Sequence, residues 1–223
     1  MNDNEIITKS PFYHYSKNKE EDRKKTINGF NAIILCTLFD TTDSGEGPNK
    51  VYIKESKIHG LGVFAKKDIK KGSLITYYPA HYAVAFVEGR KNGERSREIS
   101  IIPSKTVKAR KLEFKEEYLP YMTDINSYYS ICGDPRIHDN PGFLGHMMND
   151  CAVGHSTLDN YNPKDEKVYM IVTMHKLNAL IKYEPNPTCT VVVEAHRDIK
   201  KDEEVLTAYG YHYWTQVNSM RNK

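Results

Sequence analysis

The sequence lacks three features that would assign it directly to a common class of protein. Its four cysteines are widely spaced along the chain: Cys36, Cys132, Cys151 and Cys189. No two of them form a CxxC pair, which excludes a zinc ribbon and a thioredoxin-like redox motif. The longest apolar stretch lies within Phe30–Phe39, far short of the roughly 20 residues that a membrane helix needs, so we expect it in a core. Met1–Ser10 has no basic and then apolar leader, so we expect an intracellular protein of the nucleus or cytoplasm.

The chain also lacks a strong excess of charge of either sign. Lys and Arg total 32 against 29 Asp and Glu, which gives a formal net charge of +3. A protein that follows nucleic-acid phosphates concentrates more basic residues on one face, so we expect no direct nucleic-acid binding. Phenylalanine is scarce, with 7 residues beside 16 tyrosines. Tyrosine joins an apolar ring to a polar tip, and this surplus suits a polar slot with aromatic walls.

Turn-forming residues at Thr41–Pro48 separate the start of the chain from the rest. We therefore expect an N-terminal extension over 1–48, which packs on or precedes a domain over 49–214, and a tail over 215–223. Short extended patterns recur in the domain, at Val51–Ile53, Val63–Ala65, Leu74–Tyr78, Val168–Met174 and Val191–Val193. The composition of Thr106–Leu119 predicts a helix. Many short strands with little helix predict a mainly β fold with some α, built of several small twisted sheets.

The first chemically informative motif is His59-Gly60-Leu61-Gly62, followed by the extended run Val63–Ala65. Two glycines one residue apart let the backbone approach a ligand closely, because no Cβ stands in the way. The third glycine and the helix of a dinucleotide-binding fingerprint are missing, which excludes a Rossmann site. Taken alone, the motif is equally well explained as a hairpin with glycine turns.

The second motif is Phe143–Cys151, which contains Leu144-Gly145-His146 and Asn149-Asp150. A zinc site at His146 would need further ligands, and the candidates are scattered along the chain: His138, Cys151 and His155. We therefore expect no metal site here.

The third motif is Val191–Gly210, where a strand precedes a charged turn, Arg197-Asp198-Ile199-Lys200-Lys201, and the run ends in Tyr209-Gly210. A strand with a lysine-rich turn could have no role by itself. The order of all three motifs, however, resembles that of the SET-domain protein-lysine methyltransferases.

This resemblance implies a SET fold and methyl transfer from S-adenosylmethionine to a lysine of another protein. Tyr209 falls at the position of the family's catalytic tyrosine. The resemblance also implies a set of cofactor-binding residues: His59, Gly60, Leu61, Gly62, His146, Asn149, Asp150 and Trp214. Asp150 departs from the pattern, because the family usually has histidine there, although backbone contacts to the cofactor do not depend on the side chain.

The resemblance further implies a narrow lysine channel lined by tyrosine. Tyr77 or Tyr78 takes one channel position, and Tyr183 is a further candidate. Methyl transfer is an in-line displacement, so such a site has to align a neutral amine and exclude water. Aromatic walls beside a positively charged sulfur disfavour the ammonium form of lysine. No strong general base is then required.

Two stretches do not match the family, and the closing segment is different. Ala80–Ile131 is a variable insert, whose acidic Glu113, Glu116 and Glu117 either face a basic peptide or form a solvated helix face. Ala152–Leu177 is an extra insertion, expected to be a surface hairpin. No cysteine follows Cys189, so we expect no zinc cluster after the domain. Trp214 either covers the cofactor or packs on the core.

The sequence thus predicts a methyltransferase that acts on a lysine-containing protein, with histone tails in chromatin or a non-histone protein as the candidate substrate. The alternative is a catalytically inactive SET module that binds a peptide or a partner protein. That alternative is motivated by Asp150 and by the missing closing segment.

Overall fold

The structure is a computed structural model that describes residues 47–91, 94–125, 129–152, 163–184 and 190–214. These residues fall into two compact units. The insert unit contains 79–137, 183, 184 and 190, and the principal unit contains 47–78, 138–182 and 191–214, each with the gaps given above. Almost all of the predicted N-terminal extension, including Phe30–Phe39, lies outside the described residues. The predicted domain boundaries stay a prediction.

Short strands dominate the described residues. The strands are β1 (Val51–Glu55), β2 (Leu61–Ala65), β3 (Leu74–Tyr77), β4 (Tyr82–Lys91), β5 (Glu94–Pro103), β6 (Met122–Asp124), β7 (Tyr129–Cys132), β8 (Asn149–Asp150), β9 (Ala179–Glu184), β10 (Thr190–Ala195) and β11 (Leu206–Thr207). The α-helices of the described residues are α1 (Lys105–Ala109) and α2 (Pro163–Lys176). A further helical turn covers 211–214.

The principal unit begins with the antiparallel hairpin of β1 and β2, in which Val51 pairs with Ala65. The turn between the strands contains Gly60 at φ +47, a conformation that residues with a Cβ avoid. Beside this turn, the Ser56 N–H donates to the Gly60 carbonyl at 2.8 Å. Val51, Val63 and Ala65 are buried, so the hairpin contributes apolar side chains to the core.

A three-stranded sheet has the order β3-β10-β9, with antiparallel pairing between β3 and β10. Val191, Val192 and Val193 of β10 are all buried, as expected for the central strand of a sheet with both faces covered. Thr76 on β3 is also buried, and its hydroxyl accepts from Leu144 N–H at 3.0 Å and donates to the Pro141 carbonyl at 3.1 Å. These two bonds attach the segment before β8 to this sheet.

Two very short strands, β8 and β11, pair in parallel, with Leu206 opposite Asn149 and Thr207 opposite Asp150. The Cys151 N–H extends the pairing by donating to the Thr207 carbonyl at 2.8 Å. Asn178, whose side chain is fully buried, supports β11 from the other direction. Its amide oxygen accepts from Leu206 N–H and its amide nitrogen donates to the Glu204 carbonyl, both at 2.7 Å.

The insert unit is built on a four-stranded sheet in the order β5-β4-β7-β6, whose β4 and β5 form a long hairpin from Tyr82↔Pro103 to Lys91↔Glu94. One face of the unit holds an apolar cluster, whose buried members are Tyr82, Val84, Val107, Tyr118, Cys132 and Ile137.

A buried carboxylate stabilises the insert unit. Arg136 donates to both oxygens of Asp134, at 2.9 and 2.7 Å, and the Tyr82 hydroxyl donates to Asp134 Oδ2 at 2.9 Å. Burial opposes the ionisation of Asp134, but the bonds from Arg136 and Tyr82 outweigh it and hold the pKa of the carboxyl below its ordinary value. The Arg136 guanidinium also lies over the Tyr118 ring, 4.9 Å from its centroid.

The extra insertion differs from the prediction. The extended pattern at Val168–Met174 and the predicted surface hairpin are both wrong for the described part, which is the helix α2. β-branched residues suggested a strand, but Pro163 suits a first helical position and Tyr169 and Val172 pack on a cluster with Cys151 and Tyr211. Tertiary packing therefore overrides local propensity in this segment.

The predicted helix at Thr106–Leu119 is largely wrong. Only α1 is α-helical, and Lys111 at φ +52 ends it. The chain then forms a 3-10 helix at Glu116–Tyr121. Glu113, Glu116 and Glu117 therefore do not share one continuous helix face. The long β4–β5 hairpin also went unpredicted.

Candidate membrane spans are absent from the described ranges, since none of their helices combines the length and the apolar character needed to cross a bilayer.

Replacing Asn178 by alanine tests the support of β11. The change leaves the Leu206 N–H and the Glu204 carbonyl without their partner, and we expect a loss of about 1–3 kcal/mol in the free energy of unfolding. Urea denaturation measures it. The matched control is Asn49→Ala, at an exposed asparagine that accepts from the exposed Lys66, and we expect a change within about 0.5 kcal/mol. Equal losses in the two variants would contradict the assigned role of Asn178.

Replacing Asp134 by asparagine tests the buried ion pair through pH. The pKa of the Asp134 carboxyl in the folded protein lies below its value of about 3.9 in the unfolded chain. The carboxylate therefore stabilises the fold at pH values above about 3.9, and this stability is lost as the pH falls through the folded pKa. Asp134→Asn should therefore be destabilised most at about pH 7, with a difference from the wild type that shrinks in strong acid. Denaturation across this pH range measures it. The exposed Asp202→Asn serves as control, and a difference between Asp134→Asn and the wild type that does not depend on pH would contradict the account.

Candidate functional site

Two segments of the principal unit meet at Asn149 of β8. One is the loop His59–Gly62, and the other is the segment around Glu204 that leads into β11. His59, Gly60 and Leu61 are exposed, and Leu61 keeps 40% of its surface accessible although it is apolar. The loop therefore presents backbone and one apolar side chain outward, next to buried groups of β8. It holds four of the predicted cofactor residues.

Asn149 joins this loop to Glu204, in the segment that leads into β11. Its side chain is 8% exposed, and Nδ2 donates to the carbonyls of His59 and Leu61 at 3.1 and 3.2 Å. The same nitrogen donates to Glu204 Oε1 at 2.9 Å. One amide thus fixes the position of the glycine loop relative to the segment that leads into β11.

Glu204 is a site residue that the sequence reasoning missed. Its second oxygen, Oε2, accepts from the Ser56 hydroxyl at 2.9 Å, so the carboxylate lies between the β1–β2 turn and Asn149. A Cβ added at Gly62 would come within 2.3 Å of Glu204 Oε1 and 3.0 Å of Asn149 Nδ2. A larger residue at position 62 would therefore have to displace the Glu204 carboxylate. The signal was available, because Glu204 lies inside the third motif.

Asp150, the departure from the family pattern, is a buried carboxylate with 1% of its surface exposed. Oδ1 accepts from the Ala152 N–H at 2.6 Å. Oδ2 accepts from the Tyr169 hydroxyl at 2.7 Å, the Tyr209 N–H at 2.8 Å and the Trp214 Nε1–H at 3.0 Å. Every one of these partners is a donor, which suits an acceptor-only carboxylate. Burial, then the charge of Asp150, raises the pKa of Tyr169.

Tyr209 lies two residues after the end of β11 and is half-buried. Its hydroxyl donates to the Met148 carbonyl. Its ring stacks on that of Trp214, with 5.8 Å between centroids and 16° between planes, and meets Tyr213 edge-on at 4.9 Å. The predicted catalytic tyrosine is thus held at its backbone, its ring and its hydroxyl. Trp214 packs against the Tyr209 ring, and its indole N–H donates to Asp150.

The predicted channel residues are distributed differently. Tyr78 is 5% exposed and meets the His146 ring at 6.3 Å, while Tyr77 is half-buried and stacks on Phe143 at 5.4 Å. Both belong to the principal unit, as do Asn149 and Tyr209. Tyr183 is half-buried on β9 and falls in the insert unit.

The contribution of Tyr169 could not be read from the sequence, because it comes from α2, in the stretch for which only a surface hairpin was expected. Cys151 and Cys132 are free and buried, and burial raises the pKa of both thiols, which disfavours reactive thiolates. Among the described residues, no group of three or more His, Cys, Asp or Glu could hold a metal ion.

The family assignment follows from this arrangement together with a comparison. The family model of the SET domain matches residues 60–210 of this sequence, which is more than half of the chain. The protein belongs to the SET-domain family. The predictions of the family and of a fold of several small sheets with few helices are confirmed.

Comparisons with individual proteins add little. A search of the curated proteins found no match. Among solved structures, a crystal structure of a candidate histone methyltransferase from Plasmodium falciparum is similar, with 19% identity, coverage of 74% of this chain and 96% of that chain, and a TM-score of 0.36. At that score, the similarity carries no weight for the fold or for the function.

Alanine at Gly62 tests the contact between the loop and Glu204. The new methyl group displaces the Glu204 carboxylate and disturbs Asn149, and we expect a loss of about 1–3 kcal/mol in the free energy of unfolding. The same change in a Glu204→Ala background should cost less by at least about 0.5 kcal/mol, because the clashing atom is gone. Urea denaturation of the four proteins measures both effects. Strictly additive losses would contradict a direct contact.

Proposed function

We propose that the protein transfers a methyl group from S-adenosylmethionine to the side-chain amine of a lysine in another protein. The observation that carries the proposal is the Tyr209 phenol, which donates to the carbonyl of Met148, next to Asn149 in the chain, where β8 pairs in parallel with β11. Membership of the SET family supports it. When bound, the cofactor supplies a methyl group attached to a positively charged sulfur.

The residues present fit such a cofactor. His59, Gly60 and Leu61 are exposed residues, and the absence of a Cβ at Gly62 keeps the loop close to Asn149. The Nδ2 group of Asn149 holds the loop, and we assign its Oδ1 as an acceptor for the cofactor's amino group. Asn149 then has two tasks, because it shapes the loop and contacts the ligand.

Tyr209 is the residue that we assign to alignment of the methyl group. A phenol has one donor and two lone pairs. The donor is used on the Met148 carbonyl, and the phenol oxygen is the atom that we assign to accept weak C–H hydrogen bonds from a polarised methyl group. The effect of each such contact is small, and its value lies in favouring one orientation.

The lysine amine must be neutral before it attacks, although the ordinary pKa of lysine is about 10.4. An aromatic surrounding that removes water disfavours the ammonium form, and a positive sulfur nearby does the same. Tyr77 is the more exposed of the two adjacent tyrosines, because Tyr78 is buried against His146, and we assign Tyr77 to the lysine channel. The substrate class is a lysine-containing protein, with histone tails as the first candidates.

The binding-module alternative loses its main support at Asp150. That residue suggested a damaged cofactor site, because it replaces the usual histidine. Its carboxylate is instead bonded to the backbone of Tyr209 and to Trp214, so it takes part in holding the tyrosine that the reaction needs. The substitution is therefore compatible with catalysis.

Two substitutions separate binding from transfer. Asn149→Ala should weaken S-adenosylmethionine binding on the order of 10-fold or more, because it removes a bond to a charged group worth about 1.5–3 kcal/mol. Tyr209→Phe should leave the dissociation constant within about 3-fold and lower kcat about 10- to 100-fold, because alignment is lost. Calorimetric titration measures the first and radiolabelled methyl transfer the second.

The control is Tyr52→Phe, which removes a hydroxyl outside the site, one that donates to the exposed Asp202. The transfer assay uses a histone mixture and, separately, a lysate of non-histone proteins. Full transfer by Tyr209→Phe would overturn its role. Failure of the wild type to bind the cofactor would favour the inactive binding module.

A further inference from the structure

The insertion helix α2 reaches the segment that carries Tyr209. Tyr169, on the buried face of α2, is 6% exposed, and its hydroxyl uses both of its capacities. It donates to Asp150 Oδ2 at 2.7 Å and accepts from the Gly210 N–H at 2.8 Å. Since Asp150 Oδ2 also accepts from the Tyr209 N–H, the pair Tyr169 and Asp150 binds two consecutive backbone donors.

These two donors lie on either side of the Tyr209 Cα atom. Gly210 has φ +96, so the chain turns immediately after Tyr209 in a conformation that favours glycine. A hydrogen bond on each flanking N–H fixes that turn and with it the direction of the Tyr209 side chain. The Trp214 indole, held by the same carboxylate, stacks on the Tyr209 ring.

We propose that Tyr169, acting through Asp150 and Gly210, is a positioning residue for methyl transfer. This inference rests on the function proposed above and assigns to the extra insertion a role in that reaction. Tyr169 does not touch the reacting atoms, and its effect passes through the backbone of Tyr209. Its removal therefore changes the rate of transfer much more than the binding of cofactor.

The single substitution Tyr169→Phe removes the hydroxyl and keeps the ring in its cluster with Cys151 and Tyr211. We expect kcat to fall about 10- to 100-fold, because misplacement of a reacting geometry by an ångström costs up to about 100-fold. The dissociation constant for S-adenosylmethionine should stay within about 3-fold of the wild type. Tyr52→Phe, the control already described, should change neither quantity.

A double-mutant cycle distinguishes positioning from general stability. If Tyr169 acts through Tyr209, then Tyr169→Phe should lower the residual kcat of Tyr209→Phe by less than about 3-fold, since the phenol that it positions is already gone. A structural role alone predicts that the two losses multiply. Asp150→Asn provides a second variant, because it keeps the shape but turns an amide N–H₂ toward donors, and it should give the same pattern.

Trp214 is the single tryptophan of the chain, so its emission reports on the Asp150 site and on folding in every variant. We expect every variant to give the emission of a folded protein. A local shift of the Trp214 emission is expected in Tyr169→Phe and Asp150→Asn but not in Tyr52→Phe. An unchanged kcat in folded Tyr169→Phe, or losses that multiply in the double-mutant cycle, would overturn the inference about Tyr169. Methyl transfer by the wild type in the same assay would still support the proposed function. Absence of transfer by the wild type would overturn both.

Discussion

The parallel pairing of β8 with β11 brings together segments that lie far apart in the chain. Only two residue pairs form it, so these strands need support from side chains. Asn149 attaches β8 to the glycine loop, and Asn178 attaches β11 through the Leu206 N–H and the Glu204 carbonyl. Without these amides the two strands would have few hydrogen bonds, and the residues that follow each strand, Cys151 and Tyr209, would have no defined spacing. Two buried asparagines thus determine the geometry of the site.

The sequence predicted the parts of the fold that depend on local pattern. The strands at β1, β2, β3 and β10 followed from alternating or apolar runs bounded by turns, and Gly60 adopts the positive φ that a glycine turn suggests. The placement of Tyr209 near Asn149 came only from the resemblance to a family, because no local pattern predicts a parallel pair between distant segments. Local pattern misled at Val168–Met174, where β-branched residues lie in a helix.

The surroundings of Asp150 were unpredictable for a physical reason. Its four donors belong to residues 152, 169, 209 and 214, so only the completed fold brings them to one carboxylate. From the sequence, an aspartate in place of the usual histidine suggested a weakened site. In the structure, the same residue bonds to the backbone of Tyr209.

Asp150 and the helix α2 stabilise each other through the hydrogen bond from Tyr169. A carboxylate that is 1% exposed is costly to bury unless donors surround it, and a helix that supplies the Tyr169 hydroxyl removes part of that cost. An imidazole in the same place would present a single acceptor nitrogen when neutral and none when charged, so it could not accept from Ala152, Tyr169, Tyr209 and Trp214 together. Asp150 and α2 are therefore two halves of one arrangement. In this chain, the backbone of Tyr209 is held by a carboxylate that depends on α2.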